Sequence, residues 1–140
     1  MYQVIIADDE AKIRSGLANL FPWNQLGFEI TGSFSNGRDA YDFALSNPVD
    51  LILSDIRMPL MDGLELSERL LSRKKVKIIF FSGYQDFDYV RKALRNGVFD
   101  YLLKPVKYED LADCLTRVKE LLDREQGQDM PDVCESLSYY

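Results

Sequence analysis

Histidine is the most informative absence in this sequence, since none occurs among its 140 residues. Imidazole acid–base chemistry, histidine metal ligands and a phosphohistidine formed on this chain are therefore excluded. Cysteine is scarce too: Cys114 and Cys134 stand in no metal-binding or redox spacing, which fits a reducing cytosol. The chain also lacks an apolar run of membrane-spanning length and a signal peptide. These absences predict a cytoplasmic protein that makes no contact with a membrane.

The composition is that of an ordinary globular protein, with 46% hydrophobic and 29% charged residues. A chain of 140 residues is long enough to bury one hydrophobic core without disulfides or structural metals. The net charge of −6 argues against a nucleic-acid-binding surface within these residues.

Short apolar runs alternate with amphipathic stretches along the chain. The runs predict five strands, at residues 3–7, 28–34, 51–55, 77–81 and 100–103. Apolar residues at helical spacing predict five helices, at residues 11–21, between 37 and 47, at 64–71, from 87 to 96 and at 108–122. Repeated β–α units with right-handed crossovers form a parallel sheet that helices cover on both faces. Residues 123–140 are polar and predict a linker or a frayed tail.

Polar residues follow the predicted strands in a regular way. The first strand ends at Asp8-Asp9, the third at Asp55, the fourth at Ser82 and the fifth at Lys104. In open α/β sheets, ligand and reaction sites lie just beyond the carboxyl ends of the strands. Each residue has an ordinary explanation as a helix cap, a turn residue or an exposed lysine. Their occurrence at four strand ends instead predicts one shared site.

The chemistry of that predicted site suits a phosphoryl group. Three carboxylates would repel one another, and a divalent cation such as Mg²⁺ relieves that repulsion with its preferred oxygen ligands. A lysine and a serine hydroxyl can contact phosphoryl oxygens. With these partners, Asp55 could act as the nucleophile that forms an aspartyl phosphate.

Four segments, IIADDE, LILSDIRMPLMDGLEL, IIFFSGY and FDYLLKPV, together resemble the receiver domain of bacterial two-component response regulators. The resemblance covers residues 1 to about 122. It implies a flavodoxin-like (βα)5 three-layer sandwich, with a five-stranded parallel sheet in the order 2-1-3-4-5. It also implies that Asp55 accepts phosphate from a sensor histidine kinase, and that the chain is a signalling switch rather than an enzyme.

The resemblance implies further roles, residue by residue. Mg²⁺ would be held by Asp8, Asp9, Asp55 and the backbone carbonyl of Arg57. Ser82 and Lys104 would contact the phosphoryl oxygens, Lys104-Pro105 would be a cis peptide, and Ser82 and Tyr101 would form the conformational switch. Arg57, Gly83 and Tyr84 would tune how long the phosphate lasts.

A finer resemblance links the connector FPWNQLGFE and the segment SGYQDFDYVRKALRNGVFDYLLKPV to receivers that precede AraC-type helix-turn-helix output domains. Trp23 and Leu26 in the connector are either simple packing residues or carry a role specific to that group. The resemblance implies that DNA would be bound only through an output domain outside these residues. Phosphorylation would change the surface of the fourth helix, fifth strand and fifth helix and favour a homodimer.

Other functions remain to be weighed against this one. An aspartate-nucleophile phosphatase would carry an Asp-x-Asp pattern on its first strand, whereas here the acceptor lies on a later strand. A flavodoxin-like flavin binder would need hydroxyls and amides where this chain has Asp8-Asp9-Glu10. A degenerate receiver that only mediates contacts would lack some key positions, and all are filled here. A stand-alone receiver that regulates a partner protein is the remaining alternative.

Overall fold

The computed structural model describes residues 1–83 and 87–127. Five strands alternate with five helices in these residues. The strands are β1 (Tyr2–Ala7), β2 (Phe28–Phe34), β3 (Leu51–Asp55), β4 (Lys77–Ser82) and β5 (Asp100–Leu103). The helices are α1 (Ala11–Leu20), α2 (Gly37–Ser46), α3 (Gly63–Leu71), α4 (Phe87–Arg95) and α5 (Tyr108–Gly127), and a short 3-10 helix, Trp23–Leu26, precedes β2.

The strands form one parallel sheet in the order β2-β1-β3-β4-β5, which confirms the predicted fold and strand order. In register, Ala7 pairs with Ser54, Asp55 with Phe81, and Ser82 with Leu103. The carboxyl ends of β1, β3, β4 and β5 therefore lie side by side along one edge of the sheet. This register decides where the functional side chains meet.

The central strands are apolar on both sides because helices cover both faces of the sheet. Leu51 and Leu53 of β3 join the core cluster under α1 and α5, while Ile52 joins the cluster under α2, α3 and α4. All three side chains are fully buried. Each contributes about 1.5–3 kcal/mol relative to an exposed position, which explains why β3 shows no alternation of apolar and polar residues.

The connector between α1 and β2 is a packing element. Trp23 is buried, and its indole nitrogen donates a hydrogen bond to the Leu17 carbonyl oxygen over 3.1 Å. Its ring meets those of Phe21 and Phe28 edge to face. Leu26, by contrast, leaves 37% of its surface exposed. Packing therefore explains the burial of Trp23, and a role specific to receivers of the AraC type stays a prediction.

Helix α5 extends to Gly127, past the end at residue 122 that the sequence predicts. Asp123 accepts hydrogen bonds from the Tyr2 hydroxyl and from Lys119, and Glu125 pairs with Lys77. The polar residues after 122 thus form a helical turn held to the amino edge of the sheet. Residues 128–140, with Cys134, lie outside the described residues, so the tail predicted there stays a prediction.

None of the helices in the described part of the chain combines the length and the apolar composition that crossing a membrane requires.

Candidate functional site

The carboxyl edge of the sheet brings three acids and one lysine together. Lys104 Nζ lies 2.9 Å from Asp55 Oδ2 and 3.3 Å from Asp8 Oδ2. Carboxylate oxygens of Asp8, Asp9 and Asp55 lie within 4.8 Å of one another. Asp8 and Asp55 are buried, whereas Asp9 is exposed. These are four of the residues that the sequence placed in one site.

Asp8 is held in the turn between β1 and α1 by its own hydrogen bonds. Its Oδ1 accepts from the Glu10 amide over 2.9 Å, and its backbone carbonyl accepts from Arg14 Nη1 over 2.7 Å. The alternative explanation of Asp8-Asp9-Glu10 was a helix cap; Glu10 is the N-cap residue of α1 but makes no side-chain cap hydrogen bond, and Asp8 instead closes the turn before the helix. The other oxygen of Asp8, Oδ2, lies 3.3 Å from Lys104 Nζ.

Two glycines let the segment after β3 pack tightly beside Asp55. A Cβ on Gly63 would lie 2.6 Å from the Asp55 carbonyl oxygen, and one on Gly37 would lie 2.0 Å from the Met61 carbonyl oxygen. Asp62 then caps α3 by accepting from the Glu65 amide over 2.8 Å. The Asp62-Gly63 pair was visible as a turn signal, but the contact between Gly37 and Met61 joins distant parts of the chain and was not.

The electrostatics of the cluster favour a cation. Two carboxylate charges within 4.8 Å repel by about 3 kcal/mol or more at an effective dielectric constant near 20. Burial raises the pKa of Asp8, although the Glu10 amide and Lys104 oppose that shift. Burial lowers the pKa of Lys104, but the hydrogen bond and charge of Asp55 outweigh it, so this pKa lies above its ordinary value. One ammonium against three carboxylates leaves a net negative site, and hard oxygen donors suit Mg²⁺, so the cluster could hold that ion.

Ser82 and Tyr101 lie on neighbouring strands beside this cluster. The Ser82 hydroxyl is buried and has no hydrogen-bond partner among the described residues. The backbone carbonyl oxygen of Ser82 accepts a hydrogen bond from the Lys104 amide over 2.8 Å. The Lys104–Pro105 peptide bond is cis, as the resemblance implies. Tyr101 is half-buried and packs against the core cluster that includes α4.

Arg57 connects the site to α4. Its amide nitrogen lies 3.4 Å from Asp55 Oδ1, and its guanidinium carbon lies 5.1 Å from the centre of the Tyr89 ring. The sequence prediction did not single out Tyr89, because nothing local links it to Arg57. Gly83 follows β4 directly and is half-buried, and Tyr84 lies outside the described residues.

Comparisons with known proteins agree with this geometry. The family model described as response regulator receiver domain matches residues 4–116. The transcriptional regulatory protein YesN of Bacillus subtilis is 34% identical over 126 residues, which cover 89% of this chain and 34% of YesN. The transcriptional regulatory protein HptR of Staphylococcus aureus is 34% identical over 128 residues, which cover 91% of this chain and 50% of HptR. The chain thus spans between a third and a half of these curated relatives.

Solved structures give the same result for the fold. The receiver domain of AraT, a response regulator from Geobacillus stearothermophilus, superposes with a TM-score of 0.84 at 38% identity, covering 89% of this chain and 98% of that one. A two-component transcriptional regulator AraC from Clostridium phytofermentans superposes with a TM-score of 0.81 at 31% identity, covering 90% and 98%. The sheet order, the acids at its carboxyl edge and the family match over most of the sequence lead to one conclusion: this chain belongs to the response regulator receiver domain family.

Proposed function

We propose that this receiver domain is a phosphorylation-controlled switch in which Asp55 accepts a phosphoryl group from a sensor histidine kinase. The observation that carries this proposal is the geometry around Asp55: its Oδ2 lies 2.9 Å from Lys104 Nζ, and its carboxylate has an oxygen within 4.8 Å of oxygens of Asp8 and Asp9. A carboxylate at the end of a rigid strand can act as a nucleophile. Lys104 supplies a positive charge that stabilises the negative charge of the incoming phosphoryl group.

The proposed transfer forms one bond to phosphorus and breaks another. A carboxylate oxygen of Asp55 attacks phosphorus, the new O–P bond forms, and the N–P bond of a kinase phosphohistidine breaks so that the imidazole leaves. With acetyl phosphate as donor, an O–P bond breaks and acetate leaves. Hydrolysis reverses the modification when water attacks phosphorus and the Asp55 O–P bond breaks. The domain takes part in its own phosphotransfer and slow autodephosphorylation rather than turning over an external substrate.

Each residue of the site has a role in this proposal. Asp8, Asp9, Asp55 and the Arg57 carbonyl would hold Mg²⁺, which when bound neutralises charge that develops on the phosphoryl oxygens. Lys104 binds one of these oxygens as a point charge, and the Ser82 hydroxyl donates a hydrogen bond to another. Arg57, Gly83 and Tyr84 tune the lifetime of the phosphate by controlling what approaches Asp55.

The switch would start at Ser82. Its buried hydroxyl lacks a partner among the described residues, so a phosphoryl oxygen on Asp55 offers it a charge-assisted hydrogen bond. Such a bond is worth about 1.5–3 kcal/mol, which shifts a two-state equilibrium by one to two orders of magnitude. Moving Ser82 makes room for Tyr101 to rotate inward, and that rotation changes the surface of α4, β5 and α5.

The output of the switch would be transcription. YesN and HptR carry the name of transcriptional regulatory proteins, and this chain spans only part of their length. We propose that the receiver domain, expected at residues 1–122, continues to the end of α5 at Gly127, that the residues beyond it lead toward an output domain of AraC type outside this chain, and that DNA is bound only there. Phosphorylation would favour a homodimer through α4, β5 and α5. Light scattering with and without beryllofluoride tests the dimer, and one unchanged mass over a wide concentration range would contradict it.

The central test uses acetyl phosphate. With Mg²⁺ present, intact-mass spectra are expected to show one added phosphoryl group on the wild-type chain and none on Asp55→Asn. Asp62→Asn is the matched control, since Asp62 is a nearby acid that caps α3 rather than joining the cluster. It is expected to accept phosphate like the wild type. A label that forms without a divalent ion, or that persists in Asp55→Asn, would overturn the proposal.

A further inference from the structure

The amino edge of the sheet holds a second group of polar contacts, at the opposite end from the proposed phosphorylation site. Strand β1 begins at Tyr2, whose hydroxyl donates a hydrogen bond to Asp123 Oδ1 near the end of α5. Lys119, one turn earlier in the same helix, donates to Asp123 Oδ2 over 2.8 Å. The carboxylate of Asp123 therefore joins its own helix to the first residue of the sheet.

Gly27 allows Lys119 to lie in this position. The φ angle of Gly27 is 92°, in the left-handed region that favours glycine, and its carbonyl oxygen accepts a hydrogen bond from the Tyr2 amide over 3.0 Å. A Cβ at Gly27 would lie 2.8 Å from Lys119 Cε, so the lysine side chain crosses directly over the glycine. Gly27 belongs to the connector FPWNQLGFE, and this contact makes the connector part of what positions α5.

The charges of this group favour the observed contacts. The hydrogen bond from Lys119, and then the one from Tyr2, lower the pKa of Asp123, so its carboxylate is ionised at neutral pH and accepts both bonds. Burial, and then Asp123, raise the pKa of Tyr2 to about 12, so the hydroxyl keeps the proton that it donates. A second pair, Lys77 Nζ with Glu125 Oε2 at 2.9 Å, joins the same end of α5 to the start of β4.

Each of these contacts is weak by itself, because the residues are partly exposed. An exposed ion pair or hydrogen bond shifts a population by about two- to fivefold. The last turn of a helix frays easily, since its final carbonyl groups have no partners within the helix. Tyr2 of β1 and Lys77 of β4 hold this turn from two different strands. Two such points of attachment fix its direction as well as its position.

We propose that Tyr2, Gly27, Lys119 and Asp123 form an anchor that, together with the Lys77–Glu125 pair, holds the last turn of α5 against the sheet and fixes the direction in which the helix ends. The use of this anchor rests on the proposed function, because an output domain after α5 is what needs a fixed mount. With the anchor closed, a change in the position of α5 is passed on to the following segment. With the anchor open, fraying of the last turn absorbs it.

The first test is amide hydrogen exchange, measured by NMR at residues 124–127 and at Ile52 in the centre of β3. Tyr2→Phe removes the hydroxyl and keeps the ring beside Phe28. Exchange in the last turn is expected to rise about two- to fivefold, while Ile52, which reports global unfolding, stays within about twofold. In the Asp123→Ala background the same change is expected to have no effect. Tyr108→Phe is the matched control, since it removes the hydroxyl of an exposed tyrosine at the other end of α5, and it should match the wild type.

Gly27→Asn tests the contribution of the connector. Asparagine tolerates the left-handed backbone better than other residues with a Cβ, so this change places a Cβ under Lys119 with little added strain. Exchange at residues 124–127 is expected to rise about two- to fivefold, because Lys119 must move away from Asp123. In the Lys119→Ala background, Gly27→Asn is expected to add nothing further.

Residual dipolar couplings test the direction of the helix end. In the wild type, couplings of the amides at 124–127 are expected to fit the same alignment as those of the sheet. In the double variant Tyr2→Phe with Lys77→Met, they are expected to shrink toward zero, while those of the sheet stay the same.

Several outcomes would overturn the anchor. These are unchanged exchange at 124–127 in Tyr2→Phe or in Gly27→Asn, an equal rise at Ile52, an equal effect of Tyr2→Phe without Asp123, and wild-type couplings in the double variant. The proposed function fails by a different result, which is a wild-type domain that takes no phosphoryl group from acetyl phosphate in the presence of Mg²⁺. The exchange and coupling measurements need no phosphate, so they decide on the anchor in either case.

Discussion

Lys104 Nζ lies 2.9 Å from Asp55 Oδ2, so the lysine pairs with the carboxylate that we propose as the phosphoryl acceptor. The same nitrogen lies 3.3 Å from Asp8 Oδ2. Lys104 thus offsets two carboxylates that would otherwise repel each other. Its charge contributes to stability as well as to the proposed chemistry.

Removing this charge should destabilise the domain. Lys104→Met leaves Asp8 and Asp55 without their cation. We expect the free energy of unfolding, measured with urea in the absence of metal, to fall by about 2 kcal/mol. Mg²⁺ should restore part of it, because the ion supplies the missing positive charge. Lys107→Met, at an exposed lysine on the same loop, should stay within about 0.5 kcal/mol of the wild type. A Lys104→Met variant as stable as this control would show that Lys104 does not offset the acids.

Asp9 should matter for metal binding but not for folding. Asp9→Ala removes one ligand and also relieves like-charge repulsion. We expect Mg²⁺ affinity to fall by about tenfold or more, with an unchanged or higher melting temperature without metal. Tyrosine and Trp23 fluorescence can follow the titration. The control is Glu10→Ala, which removes an exposed acid outside the cluster. If Asp9→Ala binds Mg²⁺ as tightly as Glu10→Ala does, Asp9 is not a ligand.

Replacement by alanine should have different effects at the two buried serines Ser54 and Ser82. The Ser54 hydroxyl donates to the Asp55 carbonyl oxygen over 2.7 Å, whereas the Ser82 hydroxyl has no partner among the described residues. Ser54→Ala should cost about 1 kcal/mol in urea unfolding, while Ser82→Ala should be neutral or slightly stabilising. On adding beryllofluoride, Ser82→Ala should also lose most of the NMR shifts in α4 and β5. Full wild-type shifts in Ser82→Ala would mean that another route carries the signal.

A matched pair of glycines tests the closure of the segment after β3. A Cβ on Gly37 would meet the Met61 carbonyl oxygen, a backbone atom that cannot rotate away, so Gly37→Ala should cost at least about 2 kcal/mol. Gly16 lies inside α1 with open space around its Cβ position, so Gly16→Ala should stabilise the domain by about 0.5–1 kcal/mol. Thermal unfolding measures both. Equal effects of the two changes would refute the close approach at Gly37.

Cys114 should be unreactive and should limit alkaline stability. Burial first, and then the charge of Asp100, raise the pKa of its thiol from 9.0 to about 12. In the Cys134→Ser background, we expect slow labelling by a thiol reagent at pH 8, which becomes fast in denaturant. Because the unfolded thiol ionises first, its contribution to stability is complete below pH 9 and is lost between about pH 9 and 12. The free energy of unfolding, measured with urea across this pH range, should fall less steeply with pH for Cys114→Ala than for the wild type. Equal slopes for the two proteins would contradict the raised pKa.

Much of the fold follows from local patterns. Strand β3 was predictable because three consecutive apolar residues end at a polar pair. A strand that is buried on both faces has such a continuous apolar run instead of alternating apolar and polar residues. The strand ends at Asp8, Asp55 and Ser82 were visible for the same reason. Strand order was different: spacing alone did not yield it, and it came from the resemblance that the sheet then confirmed.

The end of α5 shows where local patterns fail. Asp123 and Glu125 are polar, and polarity alone predicted a linker. Their partners Tyr2 and Lys77 lie far away in the sequence, at the amino ends of two strands. A turn of helix stabilised by such partners cannot be recognised from its own residues.

The sequence by itself determined which chemical groups stand at the carboxyl edge, because hydrophobic periodicity and turn residues are properties of neighbouring positions. Only the tertiary structure decided their geometry. Three features depend on strand register and helix packing: the 2.9 Å contact between Lys104 and Asp55, the position of Arg57 over Tyr89, and the Ser82 hydroxyl, which has no hydrogen-bond partner among the described residues. Such contacts join residues that are distant in the chain, and their distances are set by packing of the whole core rather than by any local preference.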